Sequence, residues 1–281
     1  MIITRTPFRI SFLGGGTDYP EWFNEHSGVV LATAIDKYCY VGLRNGKEWS
    51  SFDLPSRSGM GTSSAYTVGL LKTSVEGDNE AIAQLATVIE RDKLEGRVGY
   101  QDQYICAVGG FRLIKFYPMK VTSTVIEDID WLSDYLMLVD TSHYRSAGKV
   151  VTRQLENIKD NQSGLKQLCA LALDGVKRLS DLDYRGFGGL LSEAWGLKKS
   201  LADNVSNEDI DNIYDKAMKT GAIGGKLLGA GGGGFMLFLA EPERQQEIED
   251  ALGLNRIRFN FDHKGSTIIY DFSQSQVTQS T

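Results

Sequence analysis

Residues 2–13 (IITRTPFRISFL) and 28–44 (GVVLATAIDKYCYVGLR) are rich in apolar, β-branched and aromatic side chains and predict strands. The second stretch reads as two β-rich pieces broken near Asp36. A polar connection, NGKEWSSFDL, lies between Arg44 and Pro55. Helical patterns follow over 61–72, 79–94 and 99–108, then strands over 110–116, 121–126 and 135–140. From Arg145 to Lys219 the period is mostly helical: Leu165, Leu168, Ala172, Val176 and Leu179 fall on one face at spacings of three and four. GGGGFMLFLA, a helix near 242–252 and the strands RIRFNFD and STIIYDF close the chain. A β-rich first half and a helix-rich second half, each with strands, predict an α+β protein of two lobes, residues 1–125 and 126–281.

At 281 residues the chain exceeds the usual size of one core, which agrees with two lobes. With 42% hydrophobic and 23% charged residues it has a globular composition. A formal net charge of −6 argues against nucleic acid or an anionic membrane as the main partner. Cys39, Cys106 and Cys169 are odd in number and far apart, as expected of reduced thiols in a cytoplasm. Arg5 and Arg9 interrupt the N-terminal apolar run where a signal peptide needs continuity, and no run approaches the roughly 20 residues of a membrane span. A cytoplasmic protein without membrane contact is expected.

Glycine changes this picture most. Its 31 copies concentrate at Gly14-Gly15-Gly16, at Gly59 and Gly61, and at Gly229 with Gly231 to Gly234. Glycine at such places permits positive φ and lets consecutive N–H groups face a ligand. In SGMGTSSA a glycine turn runs straight into a helix, whose first N–H groups and dipole make an anion site suited to phosphate. Ser58, Gly59, Met60, Gly61, Thr62, Ser63 and Ser64 are the candidate phosphate-binding residues. The hydroxyls of Thr62, Ser63 and Ser64 would cap the helix and reach phosphate or a magnesium ion. The lysine of the GxxxxGK[ST] loop is missing.

SGMGTSSA after Pro55 resembles the phosphate loop of the GHMP kinases, the galactokinase, homoserine kinase, mevalonate kinase and phosphomevalonate kinase family. PFRISFLGGGTDY at 7–19 is similar to the family's first motif, and KLLGAGGGGFMLFL at 226–239 to its third. FRISFLGGGTDYPEWF, DLPSRSGMGTSSAYTVGLL and VGYQDQY resemble most the bacterial branch acting on D-glycero-D-manno-heptose 7-phosphate. The resemblance implies an N-terminal lobe like domain 2 of ribosomal protein S5, a ferredoxin-like C-terminal lobe, ATP in the phosphate loop and a sugar or sugar phosphate between the lobes. A monomer or homodimer is expected.

On that resemblance Asp102 falls where relatives carry the aspartate facing the acceptor hydroxyl, as proton acceptor or as orienting charge. Arg9 would sit beside it and hold phosphoryl oxygens in a planar fork. Glu90, twelve residues before Asp102, matches the magnesium-binding glutamate and Ser63 its hydroxyl partner, with Asp92 and Glu95 the rivals in another register. Gly15, Gly16, Thr17, Asp18 and Tyr19 are the implied sugar-binding segment. Gly15 and Gly16 replace a glutamate and a histidine of galactokinase, which puts galactose in doubt. Gly229, Gly231, Gly232 and Gly233 form the third-motif loop.

An acceptor phosphate needs a cation. Lys37, Arg57 and Arg145 are candidates, and Arg145 is favoured because Ser146, Ala147 and Gly148 open a helix after it. Tyr19, Trp22, Tyr38 and Tyr40 are candidates for a sugar cleft or for packing. Relatives have a longer connection after Arg44 that helps to hold adenine. The helix after Ala65 also meets TSVEGDN early, so either this member is trimmed or segments near 45–48 or 71–76 are missing; the second is expected, and no adenine-binding residue is assigned. A kinase for fucose or another free sugar, a silent sugar and ATP sensor, and a decarboxylase of the superfamily are the other readings, the last disfavoured by GGGTDYP.

Overall fold

The computed structural model describes residues 1–56, 58–93, 97–144 and 148–272, without the side chains of 92, 93, 148 and 149. Its first half builds strands β1 (Ile2–Leu13), β2 (Gly28–Arg44), β3 (Lys47–Phe52), β4 (Phe111–Tyr117) and β5 (Lys120–Val125). Helices α1 (Pro20–His26), α2 (Thr62–Lys72), α3 (Asn79–Val88) and α4 (Gln101–Val108) lie among them. The second half adds β6 (Leu136–Asp140), α5 (Gly148–Glu156), α6 (Gln162–Ser180), α7 (Tyr184–Leu201) and α8 (Glu208–Lys219). It closes with β7 (Gly224–Leu227), β8 (Phe235–Leu239), α9 (Pro242–Leu252), β9 (Arg256–Ile257) and β10 (Thr267–Asp271).

One sheet has the order β10-β1-β2-β4-β5, with β3 on β2, and the other the order β7-β8-β6-β9. Both are antiparallel. Numbered within its own lobe, the second sheet runs 2-3-1-4, the order of a ferredoxin-like sheet. The division at residue 125 separates the sheets except at β10. That strand returns to pair with β1, Ile2 opposite Asp271, so residues 267–271 belong to the first sheet.

β2 is one 17-residue strand rather than two pieces. The break expected near Asp36 is a bulge: Pro7 opposes Tyr38 and Phe8 opposes Ile35, which leaves Asp36 and Lys37 unmatched. Pro7, which has no N–H for a ladder, sits at this irregularity. The polar connection after Arg44 is itself a strand. Its alternation places no side chain in the core, since all six residues of β3 are exposed, and the usual hydrophobic signal is absent.

The expected gaps do not occur. Arg44 and Lys47 pair across a turn in which Asn45 and Gly46 take φ of 50° and 72°, a hairpin geometry with both central residues left-handed. Beyond α2, the N–H groups of Thr73, Ser74 and Val75 bond to carbonyls of Leu70 and Leu71. The chain takes a shorter course there, without interruption.

β1 lies between two strands, and Phe8, Ile10 and Phe12 are fully buried. α2 crosses β1 and β2 near Thr4, Thr6 and Val41, which closely surround Gly69. α6 meets the same strands at their other end, where a Cβ on Gly175 would stand 2.5 Å from Leu13. The main core therefore runs from the first sheet through α6 and α7, with Leu168, Phe187 and Leu191 in one cluster with Phe8 and Leu31. A smaller core packs β6, β7 and β8 with residues of α8 and α9, including Ile210 and Ile248.

Candidate active site

The two lobes bound a cleft of about 330 Å³. Its walls come from the loop after β1, the start of α2, the start of α4, helices α5 and α7, and the turn after β7. β1, α2, α4 and α7 also contribute to the main core, so much of the site rests on rigid supports.

Gly59 and Gly61 have φ of 76° and 73°, conformations a side chain would strain. The N-cap of α2 is Gly61, and no side chain caps the helix. Thr62, Ser63 and Ser64 thus do not perform the expected capping. Their N–H groups head α2, where no carbonyl precedes them to bond, and all three residues border the cleft.

Arg9 extends from β1 to the same place. Its Nε and Nη2 donate to Asp102 Oδ1 and Oδ2 at 2.7 and 2.8 Å, a fork on one carboxylate, while Nη1 donates to the Gly59 carbonyl at 2.5 Å. Its backbone N–H donates to Met60 O at 3.0 Å. Burial opposes the charge of Arg9, but Asp102 outweighs it and holds the guanidinium above its ordinary value. Asp102, in the first turn of α4, stands so close to the phosphate loop that a Cβ on Gly61 would be 3.5 Å from its Oδ2. One arginine therefore ties the phosphate loop to the candidate catalytic carboxylate.

Glu90 lies in a π-helical turn, Ile89–Lys93, that continues α3. Such a turn widens the helix and is frequent at functional sites. Its Oε1 accepts hydrogen bonds from Ser63 at 3.2 Å and Thr67 at 2.9 Å, and its Oε2 from Ser64 at 2.8 Å and from Gln103. Ser64 is turned inward by this bond, whereas Ser63 stays exposed. The paired oxygens of Ser63 and Glu90 are hard ligands that fit a small divalent cation. Among the described residues no group of three or more His, Cys, Asp or Glu side chains forms a metal site. A cation here would complete its shell with phosphate oxygens and water, the habit of magnesium. Of the rivals, Glu95 and the side chain of Asp92 lie outside the described residues.

Asp18 is buried beside the start of α4. It accepts from the backbone N–H of Gly16 at 3.1 Å and of Gln101 at 3.2 Å. Burial, and then the charge of Asp102, raise its pKa. A Cβ on Gly99 would lie 1.9 Å from Asp18 Oδ2, which explains the glycine in VGYQDQ. Gly15, Gly16 and Tyr19 line the cleft beside it. Burial and then Asp18 push the Tyr19 phenol up, so it meets a ligand as a neutral hydroxyl.

Thr17 does not join this group. It is fully buried, and its hydroxyl bonds to the carbonyls of Gly14 and Val29 and accepts from Val29 N–H, so it braces the loop. Met60 is likewise a core residue, and Ser58 is buried behind the loop. Of the third-motif glycines, Gly229 borders the cleft and the others form its support. A Cβ on Gly229 would stand 2.4 Å from Gly59 Cα, one on Gly233 2.2 Å from His143 O, and one on Gly234 2.3 Å from Ser58 O. The third motif thus lies backbone to backbone against the phosphate loop. Gly231 meets Val205 in the same way, and Gly232 N–H donates to Val205 O.

Arg57 and Arg145 lie outside the described residues. Lys37 bonds to Asp36 in the bulge. Trp22 is buried, with its indole N–H on Ser27 O, and Tyr38 bonds to Asp262 with Tyr40 tilted against it. Tyr19 is the one of the four aromatic candidates in the cleft.

Sequence reasoning missed Lys198 on α7 and Lys226 on β7, both buried at the cleft. Lys226 Nζ donates to the carbonyls of Ser11 at 2.9 Å and Phe12 at 2.7 Å. Burial, then the charges of Lys198 and Arg9, set its pKa well below the ordinary lysine value. A signal for Lys198 existed: it occupies the core-facing row of α7 with Leu191, Ala194 and Leu201. Among the described residues no helix is long and apolar enough to cross a membrane.

The profile described as "GHMP kinases N terminal domain" matches residues 31–110, and "GHMP kinases C terminal" matches residues 172–255. A D-glycero-alpha-D-manno-heptose 7-phosphate kinase of Campylobacter jejuni is 29% identical, covering 89% of this chain and 93% of its own. That alignment runs to 319 positions, more than the whole of this chain, so the relative carries segments absent here. The bifunctional fucokinase/GDP-fucose pyrophosphorylase of Arabidopsis thaliana is 35% identical over 89% of this chain but only 24% of its own length. A crystal structure of a D-glycero-D-manno-heptose 1-phosphate kinase from Bacteroides thetaiotaomicron superposes with a TM-score of 0.77 at 23% identity, covering 97% of this chain and all of that one.

Proposed function

Because the chain belongs to the GHMP kinase family and is a sugar kinase of it, we propose that it transfers the γ-phosphate of ATP to the anomeric hydroxyl of D-glycero-D-manno-heptose 7-phosphate. The observation that carries this reading is the fork between Arg9 and Asp102 against the first turn of α2. It places a carboxylate, a guanidinium and a helix N-terminus around one volume. Phosphoryl transfer asks a protein for this kind of positioning and charge neutralisation more than for covalent chemistry.

In this mechanism the N–H groups at 62–64 bind the polyphosphate, and Asp18 accepts hydrogen bonds from sugar hydroxyls. Asp102 faces the acceptor oxygen, either taking its proton or orienting it. Arg9 fixes the rotamer of Asp102 through two parallel bonds and donates to the Gly59 carbonyl of the loop. Ser63 and Glu90 would hold magnesium, which neutralises phosphate charge when bound.

This assigns the magnesium requirement to two residues. Ser63→Ala and Glu90→Gln are each expected to raise the free magnesium needed for half-maximal rate by about tenfold or more, as loss of ordering ligands usually does. Titrating the rate against free magnesium measures this, and an unchanged curve for Glu90→Gln would remove Glu90 from the role.

The acceptor assignment rests on the heptose phosphate kinases among the relatives. The 35% identity with the fucokinase relative favours L-fucose as the second candidate. ADP release measured over a panel of sugars and sugar phosphates tests the choice. Heptose 7-phosphate is expected to give the highest kcat/KM; fucose or another free sugar leading would overturn the acceptor, and nucleotide binding without transfer to any sugar would overturn the activity.

A further inference from the structure

We propose that Lys198 is a phosphate-binding residue of the cleft, its ammonium holding a non-bridging phosphate oxygen on the α7 side while Asp102 faces it from α4. The proposal rests on the kinase reading for its choice of ligand and on geometry for everything else.

A lysine in the core-facing row of a helix is costly, because burial strips its hydration and fixes a long side chain. Lys198 is only 9% exposed. Among the described residues its hydrogen-bond partner is the Gly229 carbonyl, so one of three N–H donors is used and two are left. No carboxylate lies within ion-pair distance of it among the described residues, although Asp18 and Asp102 are close enough to act on it through space. A buried cation without a paired anion is an incomplete site.

The surroundings point to the missing partner. Arg9 from β1, Arg97 before α4, Lys198 from α7 and Lys226 from β7 bring four cations, of which Arg97 is exposed, against Asp18 after β1 and Asp102 on α4. Both Asp102 oxygens are taken by Arg9, and two donors of Lys226 by carbonyls. Lys198 is left facing the ligand volume, beside the contact of Gly59 with Gly229 where the phosphate loop begins. A phosphate brings acceptor oxygens and negative charge to this place. Burial, and then the positive charge of Arg9, push the Lys198 ammonium down to about 8, and a bound anion would raise it again.

Two phosphates could supply the oxygen, the terminal phosphate of the nucleotide or one carried by the acceptor. The test is calorimetric titration of the full-length protein and of Lys198→Met and Lys198→Arg with magnesium AMP-PNP, and separately with heptose 7-phosphate. Lys198→Met is expected to weaken one of these ligands by about 10- to 100-fold, the range for a charge-assisted hydrogen bond. Loss confined to AMP-PNP assigns the nucleotide phosphate, and loss confined to the heptose phosphate assigns the acceptor's.

Wild-type protein near pH 8.5 is expected to take up a fraction of a proton on binding that ligand, read from buffers of different ionisation enthalpy. Lys198→Arg should bind with affinity near wild type and without this uptake, because a guanidinium stays charged. Lys198→Met binding both ligands within twofold of wild type overturns the proposal. Equal weakening in both variants, with uptake retained, makes the lysine only a tie for the Gly229 loop and also overturns it. Nucleotide binding with proton uptake but without phosphorylation of any sugar supports Lys198 while overturning the proposed activity.

Discussion

Asp102→Asn is expected to lower kcat by about 10²- to 10⁴-fold, the usual worth of a positioned general base, while nucleotide affinity stays within a few fold. The asparagine keeps the size of the carboxylate and one acceptor for Arg9, so the fork is loosened but Arg9 keeps its hold on the phosphate loop through Nη1 and the Gly59 carbonyl. What disappears is negative charge where the acceptor hydroxyl must give up its proton. An interaction made mainly in the transition state shows in kcat and kcat/KM together, with little change in ground-state binding. Steady-state ADP release combined with calorimetric binding of AMP-PNP separates these quantities. Turnover near wild type would leave Asp102 as a partner for Arg9 only.

Gly229→Ala is the second large effect. Gly229 has a φ of 71°, which already costs an alanine about 1 kcal/mol. The added Cβ would lie 2.4 Å from Gly59 Cα and 3.1 Å from Gly59 O. These are backbone atoms and cannot swing aside. The phosphate loop and the third motif must therefore separate by roughly the missing ångström, and a displacement of that order at a reacting centre costs about 10²-fold in rate. A fall in kcat/KM of this size with retained fold, followed by thermal unfolding and circular dichroism, is the expected result. Full activity would mean that the contact between the two loops does not set catalytic geometry. Gly253→Ala is the control: its φ is 65°, but a Cβ there meets no atom within 4 Å.

The family was legible in the sequence through its glycine-rich motifs, and residues from those motifs meet around one cleft. Gly59 and Gly61 announced the loop, and the family resemblance singled out Glu90 with Ser63 and Asp102 with Arg9, pairs that are hydrogen-bonded in the structure. Motif membership did not distinguish wall from support. Thr17 and Met60 lie within the motifs and face the core, because a glycine loop needs buried neighbours to hold its shape. β3 escaped notice because an edge hairpin with no buried face has no period to detect.

Lys198 was overlooked for a different reason. In GLKKSL it adjoins Lys199, which bonds to Asp211 near the surface, and the pair reads as a solvated helix end. Only the phase of the helix separates one lysine from the other. Lys226 was quoted within the third motif but hidden by the glycines after it. The return of β10 to the first sheet could not be read from local pattern either, since pairing between residues 2 and 271 is a property of the whole chain.

That return changes what a lobe means here. The polypeptide passes from the first sheet to the second after β5 and comes back after β9, and a continuous apolar core fills the space between. Two passages and a shared interior make the halves a single mechanical body rather than beads on a tether. Cutting the gene at residue 125 would strip β1 of a neighbour and expose Phe12 and Leu31 to water, so neither half is a module that evolution or an engineer can transplant alone.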